Sequence, residues 1–308
     1  MADGSVISAD AILDRAAKRG KDPAKLLARL KGLAIETPSW GYADTGTRFG
    51  KCHQPAAARS IEDKLDDAGH VHKLTGICPT VAVHVLWDFP KGADKGVVAY
   101  AEKAGVRIGS INPNVFQEQC YKYGSFGNRE EKVRQQAVQH CIDSVAIGKA
   151  VGSDLLSLWF ADGTNYPGQD SIRARKRRFV DGLQAVHKQM PSSMTMLVEY
   201  KPFEPAFYHT DIADWGMALL LAKAAGPQAK VLVDTGHHYA AQNIEQIVAW
   251  LIDEEMLGGF HFNDLKYADD DLTAGSIDPY QMFRIFCESV AAEEERGEPL
   301  DIAYMVDQ

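Results

Sequence analysis

The chain has 308 residues, 45% apolar and 24% charged, an ordinary composition for a globular enzyme and long enough to bury a large core without covalent staples. Five cysteines without C-x-x-C spacing argue against a disulfide framework or a cysteine-rich zinc site, and point to a reducing, cytoplasmic setting. A net charge of −9 weighs against a general nucleic-acid binder. The polar amino terminus cannot be a secretory signal, and the apolar run at Met217–Leu221 is too short to span a membrane.

In chain order, residues 1–30 read as one or two helices, an extension expected to plug the underside of the main unit. Residues 31–308 then follow a rhythm of short apolar runs, each followed by a longer charged segment with helical spacing. Strands are expected at Leu33–Glu36, Val81–Asp88, Val106–Asn112, Leu155–Phe160, Thr195–Glu199, Val231–Asp234, Gly259–Asn263 and Ile302–Asp307. Helices are expected at Lys95–Gly105, Arg129–Gly152, Arg173–Lys188, Asp214–Ala225, Ile244–Glu255 and Pro279–Arg296. This alternation implies right-handed crossovers and a parallel sheet, and eight strands favour a closed (β/α)8 barrel, a TIM barrel, over an open sheet. No strand is followed by a phosphate-binding glycine loop; Gly124-Ser-Phe-Gly127 reads as a plain loop. The eighth strand reaches the final residues, so the last barrel helix is missing from this chain. Its seam is expected to be covered by another subunit or by the amino-terminal helices, unless the native chain is longer.

Polar residues that close apolar strands of a barrel share one mouth. Glu199 ends MTMLVE, Asp234 ends VLVD, His261 lies in GGFHFND and Asp307 ends IAYMVD. Each has a plainer reading taken alone: a helix cap or turn for Asp234, a hydrogen-bonded core residue for His261. Together, three carboxylates and an imidazole form a hard, oxygen-rich site suited to Mn²⁺ or Mg²⁺. Lys201, two residues beyond Glu199 on the same side, is its natural partner. His237, with Asp269 and Asp271 of YADDDLTAG, which two apart in an extended loop project to one side, suggests a second ion, unless that loop is only an acidic solvated turn. His84 and Trp87 at the end of the second strand and Trp159 at the end of the fourth supply an apolar wall or ordinary packing. The run Arg173–Arg178 reads as a solvated helix face, and no cysteine has a convincing histidine partner.

The segments TPSWGYADTGTRF, VHVLWDFP, SLWFADGTNYPGQD, VEYKPFEPAFY, VDTGHHY and GGFHFNDLKYADDDLTAGSIDPYQMF resemble the L-rhamnose isomerase/sugar isomerase family over nearly the whole chain. The resemblance implies a xylose-isomerase-like barrel, two divalent ions per subunit, usually Mn²⁺, and a homotetramer interconverting aldoses and ketoses. Carried over by motif, Glu199, Asp234, His261 and Asp307 correspond to the structural metal site. His237, Asp269 and Asp271 correspond to the catalytic one. Lys201, His84, Trp87 and Trp159 correspond to the substrate pocket, which also takes Glu199, and Phe49 to an aromatic residue lent to a neighbouring subunit. Lys201, His237 and Asp307 are the expected catalytic residues, and a small sugar is the expected partner, with no nucleic acid or membrane. Family members continue beyond Gln308, so this chain reads as truncated. The implied reaction is hydride or proton transfer between C1 and C2 of L-rhamnose or a related hexose. A sugar epimerase on the same barrel and an inactive metal- and sugar-binding remnant are the alternatives. A metal-dependent phosphodiesterase is disfavoured by the acidic charge.

Overall fold

A computed structural model describes residues 8–307 except 45, 48, 49, 93, 165–166, 205–207 and 268–269. Eight parallel strands follow one another around the sheet in chain order: β1 (Thr37–Pro38), β2 (Thr80–His84), β3 (Arg107–Asn112), β4 (Leu155–Leu158), β5 (Thr195–Glu199), β6 (Ala229–Asp234), β7 (Leu257–Phe262) and β8 (Ala303–Val306). β8 returns to the start of the sheet through Glu36, whose N–H donates to the Tyr304 carbonyl (2.8 Å) and whose carbonyl accepts from Val306 N–H (2.9 Å). The fold is a (β/α)8 TIM barrel. The first strand lies just beyond its expected place at Leu33–Glu36, because pairing with β2 and β8 rather than apolar content fixes where it begins.

Helices cover the outside: α3 (Ile61–Thr75), α4 (Lys95–Ala104), α5 (Glu131–Val151), α6 (Ile172–His187), α7 (Trp215–Ala225), α8 (Ile244–Asp253) and α9 (Pro279–Arg296). The α3 helix had no clear apolar period, yet it is announced by a capping box between Ser60 and Asp63 and ends on Gly76 at φ 73°. Two earlier helices, α1 (Ala9–Lys18) and α2 (Pro23–Lys31), contribute no buried residue. They attach to the end of α9 through Lys21–Glu294 (2.6 Å) and a fork from Arg29 to Glu293. The amino-terminal extension is thus held at the carboxyl end of α9 by charged side chains and adds nothing to the buried core.

The barrel interior is layered. Leu197, Leu232 and Met305 are buried against Leu155 and Ala303, forming an apolar floor. Across the interior, Glu36 is buried and accepts hydrogen bonds from the N–H (3.0 Å) and hydroxyl (2.5 Å) of Ser110. Its carboxylate occupies the space left by Gly109, where an added Cβ would lie 1.4 Å from Glu36 Oε2. Burial pushes the Glu36 carboxyl up, opposed by its bonds to Ser110. Gly109→Ala should displace this carboxylate and loosen the closing seam, lowering unfolding stability by about 2 kcal/mol in a urea titration. An unchanged midpoint would show that the barrel closes without this contact.

Above the floor, buried carboxylates fasten the mouth loops. Asp162 accepts from Ser125 N–H (2.7 Å), Ser125 hydroxyl (2.6 Å) and Gly127 N–H (2.8 Å), so Gly124–Gly127 is an anchored turn rather than a plain loop. Arg175 forks onto Asp211 at 2.7–2.9 Å and is 3% exposed. This corrects the reading of Arg173–Arg178 as a solvated face: Arg173, Lys176 and Arg177 are exposed, while Arg175 is buried in an ion pair. Burial raises the Asp162 carboxyl from 3.8 to about 6, against the hydrogen bonds from Ser125. Since this acid binds its proton more tightly in the folded than the unfolded chain, its contribution to stability falls as pH rises from about 4 to about 6. Asp162→Asn should remove up to about 3 kcal/mol of that pH dependence, read as a flatter plot of unfolding free energy against pH. A slope identical to that of the parent chain would place the titration elsewhere.

Candidate active site

Each side chain of the polar layer is delivered by a strand end. Glu199 closes β5 and Asp234 closes β6, while His261 is the penultimate residue of β7 and Asp307 follows β8. Register sets Asp234 opposite His261 and Leu232 opposite Glu199, which brings the four inward-pointing groups together. One ligating atom from each of Glu199, Asp234, His261 and Asp307 lies within 4.8 Å of every other. His261 Nδ1 is 3.4 Å from Glu199 and 3.7 Å from Asp307. That nitrogen is buried with no hydrogen-bond partner among the described residues. An orphaned imidazole nitrogen aimed at three carboxylates is a donor set that fits a hard divalent cation.

His237 stands beside this set. Its Nδ1 lies 2.9 Å from the Tyr200 carbonyl and 3.1 Å from Glu199, and its Nε2 lies 2.8 Å from Asp270. Both ring nitrogens face acceptors, so against desolvation Asp234, Asp270 and Glu199 raise this imidazole well above its usual pKa, and holding a metal through Nε2 would release a proton. Asp271 accepts from Asn263 Nδ2 (3.0 Å), which also donates to Asp234 (3.0 Å), linking the two acidic groups. Asp271 reaches that position with φ 63°, a conformation tolerated by aspartate more than by most residues. Asp269, expected alongside it, lies outside the described residues, as does Phe49. Asp270, which the spacing argument passed over, faces both His237 and Lys201.

The electrostatics reflect crowding. Burial alone would raise the Glu199 carboxyl, yet His261 and His237 hold it near about 2. Asp234 is raised to about 7 by burial and by repulsion from Glu199 and Asp307. Asp271 is raised to about 9 by burial and by Asp307 and Asp270. Desolvation lowers His261, but Glu199 outweighs it and brings the imidazole to about 9. Desolvation also opposes the charge of Lys201, and Asp270 (2.8 Å) with Glu204 (3.1 Å) overcomes it, so this lysine is firmly charged. Without a cation the crowding is relieved by protons retained on Asp234 and Asp271, which a bound divalent ion would displace.

The pocket above this layer holds about 180 Å³ and is walled by Trp40, His84, Trp87, Phe116 and Trp159. His84 and Trp87 stack with ring centres 3.9 Å apart, and Phe116 meets Trp159 edge-on at 4.8 Å. Burial holds His84 neutral, its pKa lowered to about 4. Lys201 Nζ lies 5.6 Å from the centre of the Trp159 ring. The Val85–Trp87 turn, with Leu86 at φ 89°, is clamped by Asp88, which accepts from Lys64 Nζ (2.7 Å) and His84 N–H (2.8 Å). Beyond Phe116 a wider cleft of about 880 Å³ opens over Asp162 and Arg175, away from the clustered acids. Trp40, Asn112, Phe116 and Ser157 line the catalytic pocket without having been singled out from sequence, since each sits in an ordinary apolar or turn context.

Trp40 also donates its indole N–H to Asp307 Oδ1 (2.8 Å), leaving Oδ2 turned towards His261. Removing that donor in Trp40→Phe should weaken Mn²⁺ binding about tenfold in calorimetry with the fold intact, because a group that orients a ligand counts almost as a ligand. Equal affinity in the two proteins would mean that Asp307 needs no such support.

Residues 76–300 match the family model of the xylose isomerase-like TIM barrel. The chain is 42% identical over 301 residues to a probable sugar isomerase of Rhizobium meliloti, covering 96% of this chain and 70% of that protein. A second probable sugar isomerase, from Mesorhizobium japonicum, is 41% identical over 96% of this chain and 69% of its own. In three dimensions the chain is similar to the E. coli 3-keto-D-glucoside 4-epimerase, with a TM-score of 0.61, 13% identity and coverage of 90% and 91%. It is similar also to D-psicose 3-epimerase from Clostridium cellulolyticum, with a TM-score of 0.60, 12% identity and coverage of 88% and 84%. Among the described residues no helix is long and apolar enough to cross a membrane.

Proposed function

The chain belongs to the xylose isomerase-like TIM barrel family, and we propose that within it the protein is a divalent-metal-dependent aldose–ketose isomerase acting on L-rhamnose or a related hexose. The observation that carries this reading is the convergence of Glu199, Asp234, His261 and Asp307 within 4.8 Å, beside a further set made of His237, Asp270 and Asp271. In the proposed site the first four residues hold one ion, and His237 with the acidic residues 269–271 a second. Mn²⁺ is the expected metal, from the oxygen-rich donor set. When bound, such ions supply Lewis-acid polarisation of the sugar's oxygens.

The reaction moves one hydrogen between C2 and C1 and one proton between O2 and O1. Lys201, charged and held by Asp270 and Glu204, stabilises the oxygen on which negative charge develops. Asp307, fixed through Oδ1 by Trp40, turns Oδ2 towards His261, beside the place where the sugar hydroxyls would exchange a proton. The Tyr200 carbonyl fixes the Nδ1 edge of His237, so its Nε2 keeps its direction towards Asp270 throughout. Trp87, Trp159 and Phe116 exclude bulk water, which strengthens each of these charges. Phe49 is proposed as a contribution to a neighbouring subunit's pocket in a homotetramer.

The test is metal-stripped protein with Mn²⁺ added back, offered L-rhamnose, D-allose, L-mannose and their ketoses. Ketose formation should depend on the metal and fall at least about a thousandfold in Glu199→Gln. Conversion that leaves the carbonyl in place but inverts a neighbouring centre would replace the isomerase with an epimerase. Tight Mn²⁺ binding without turnover would leave a binding protein.

A further inference from the structure

The deep end of the catalytic pocket finishes on a hydroxyl. Ser157 is 2% exposed, lines the pocket, and its Oγ has no hydrogen-bond partner among the described residues. Its surroundings make the polar atom conspicuous. By register it pairs with Leu197, and Leu155, on the same face of β4, belongs with Leu197 to the apolar floor. Alanine would serve that position without leaving a buried oxygen unsatisfied, and an orphaned buried hydroxyl is costly enough that folded proteins seldom keep one. Two residues further along the same face, Trp159 brings its ring to the pocket wall, and its Nε1–H is likewise buried and unpartnered. Thus β4 presents two unused polar atoms in succession, one at the floor and one at the wall, next to the polar layer that begins with Glu199 on the neighbouring β5.

We propose that Ser157 is a specificity-determining residue: its hydroxyl hydrogen-bonds one hydroxyl of the bound sugar, while the Trp159 indole N–H serves an adjacent oxygen. The ligand is a neutral polyol that meets the metal layer with one end and β4 with its flank. This rests on the sugar-isomerase reading of the same pocket. A site that pairs a buried polar group with a substrate hydroxyl rejects the analogue lacking it far more strongly than an apolar site does, because both partners are otherwise left unsatisfied. Ser157 therefore selects for a hydroxyl at one carbon of the sugar.

Ser157→Ala removes only the oxygen. Sugar affinity of the Mn²⁺-loaded protein is measured by calorimetry, and KM and kcat by turnover. The ligands are L-mannose, its 6-deoxy counterpart L-rhamnose, and L-mannose lacking the hydroxyl at C3 or C4. Sugars that carry the recognised hydroxyl should bind the variant about tenfold more weakly, a loss of about 1.4 kcal/mol, with kcat changed less than about twofold. A single analogue, the one missing that hydroxyl, should bind parent and variant alike. If the variant binds every sugar as the parent does, or loses the same factor on all of them, the hydroxyl is satisfied by water or serves the fold, and the proposal is overturned. Parent protein that binds these sugars without converting them would overturn the isomerase reading and leave the calorimetric comparison standing. Parent protein that binds none of them overturns both.

Discussion

Strand register is the constraint on which everything else depends. Side chains alternate between the two faces of a strand, so a slip of one residue in β5, β6, β7 or β8 would turn its functional group out of the barrel and bring an apolar side chain in. The same slip would break the floor, because Leu197 and Glu199, Leu232 and Asp234, and Met305 and Asp307 are successive inward positions of their strands. The packing that drives the barrel to form thus aligns the acids at its mouth. Gathering like charges at one point is opposed by repulsion and desolvation, and only the register-locked core beneath makes it tolerable.

The crowded layer is polarised in a useful way. Glu199 is kept ionised by two imidazoles, whereas Asp234 and Asp271 are driven upwards by neighbours and burial. Lys201 bridges the acidic loop to Glu204 while facing the tryptophan wall. The unsatisfied nitrogen of His261 and the unsatisfied hydroxyl of Ser157 mark two ends of one cavity, the first suited to a cation and the second to a neutral hydroxyl. A molecule with oxygens all along one carbon chain answers both demands at once.

Much of this was legible in the sequence, for identifiable reasons. β5 was bounded correctly at both ends because Thr195–Glu199 is a continuous apolar run closed by a carboxylate, as a strand buried on both faces should be. Glu199, Asp234, His261 and Asp307 stood out because a charged residue ending such a run has no other obvious purpose. Glu36 did not, since the pairing that buries it against Ser110 spans 74 residues and depends on a glycine's missing side chain. Asp270 escaped because a strand-like alternation was assumed for its loop, whereas Asp271 adopts a left-handed backbone that breaks the alternation. Arg175 was hidden in a basic run whose other members are exposed. Trp40 lies 267 residues from Asp307, and no local pattern announces such a bond.

The segment carrying the second acidic group closes at its base, where Asp264 and Leu272 exchange backbone hydrogen bonds at 2.9 and 3.0 Å, and meets the strand-borne layer through Asp270 and Asp271. The first acidic group is borne by strands and cannot change without disturbing the floor. Between those contacts Lys266 and Tyr267 are exposed and can vary without such a penalty. One half of the site is thus carried on strands and the other on a loop, so the loop can change length and composition in descendants of this barrel while the frame remains superimposable.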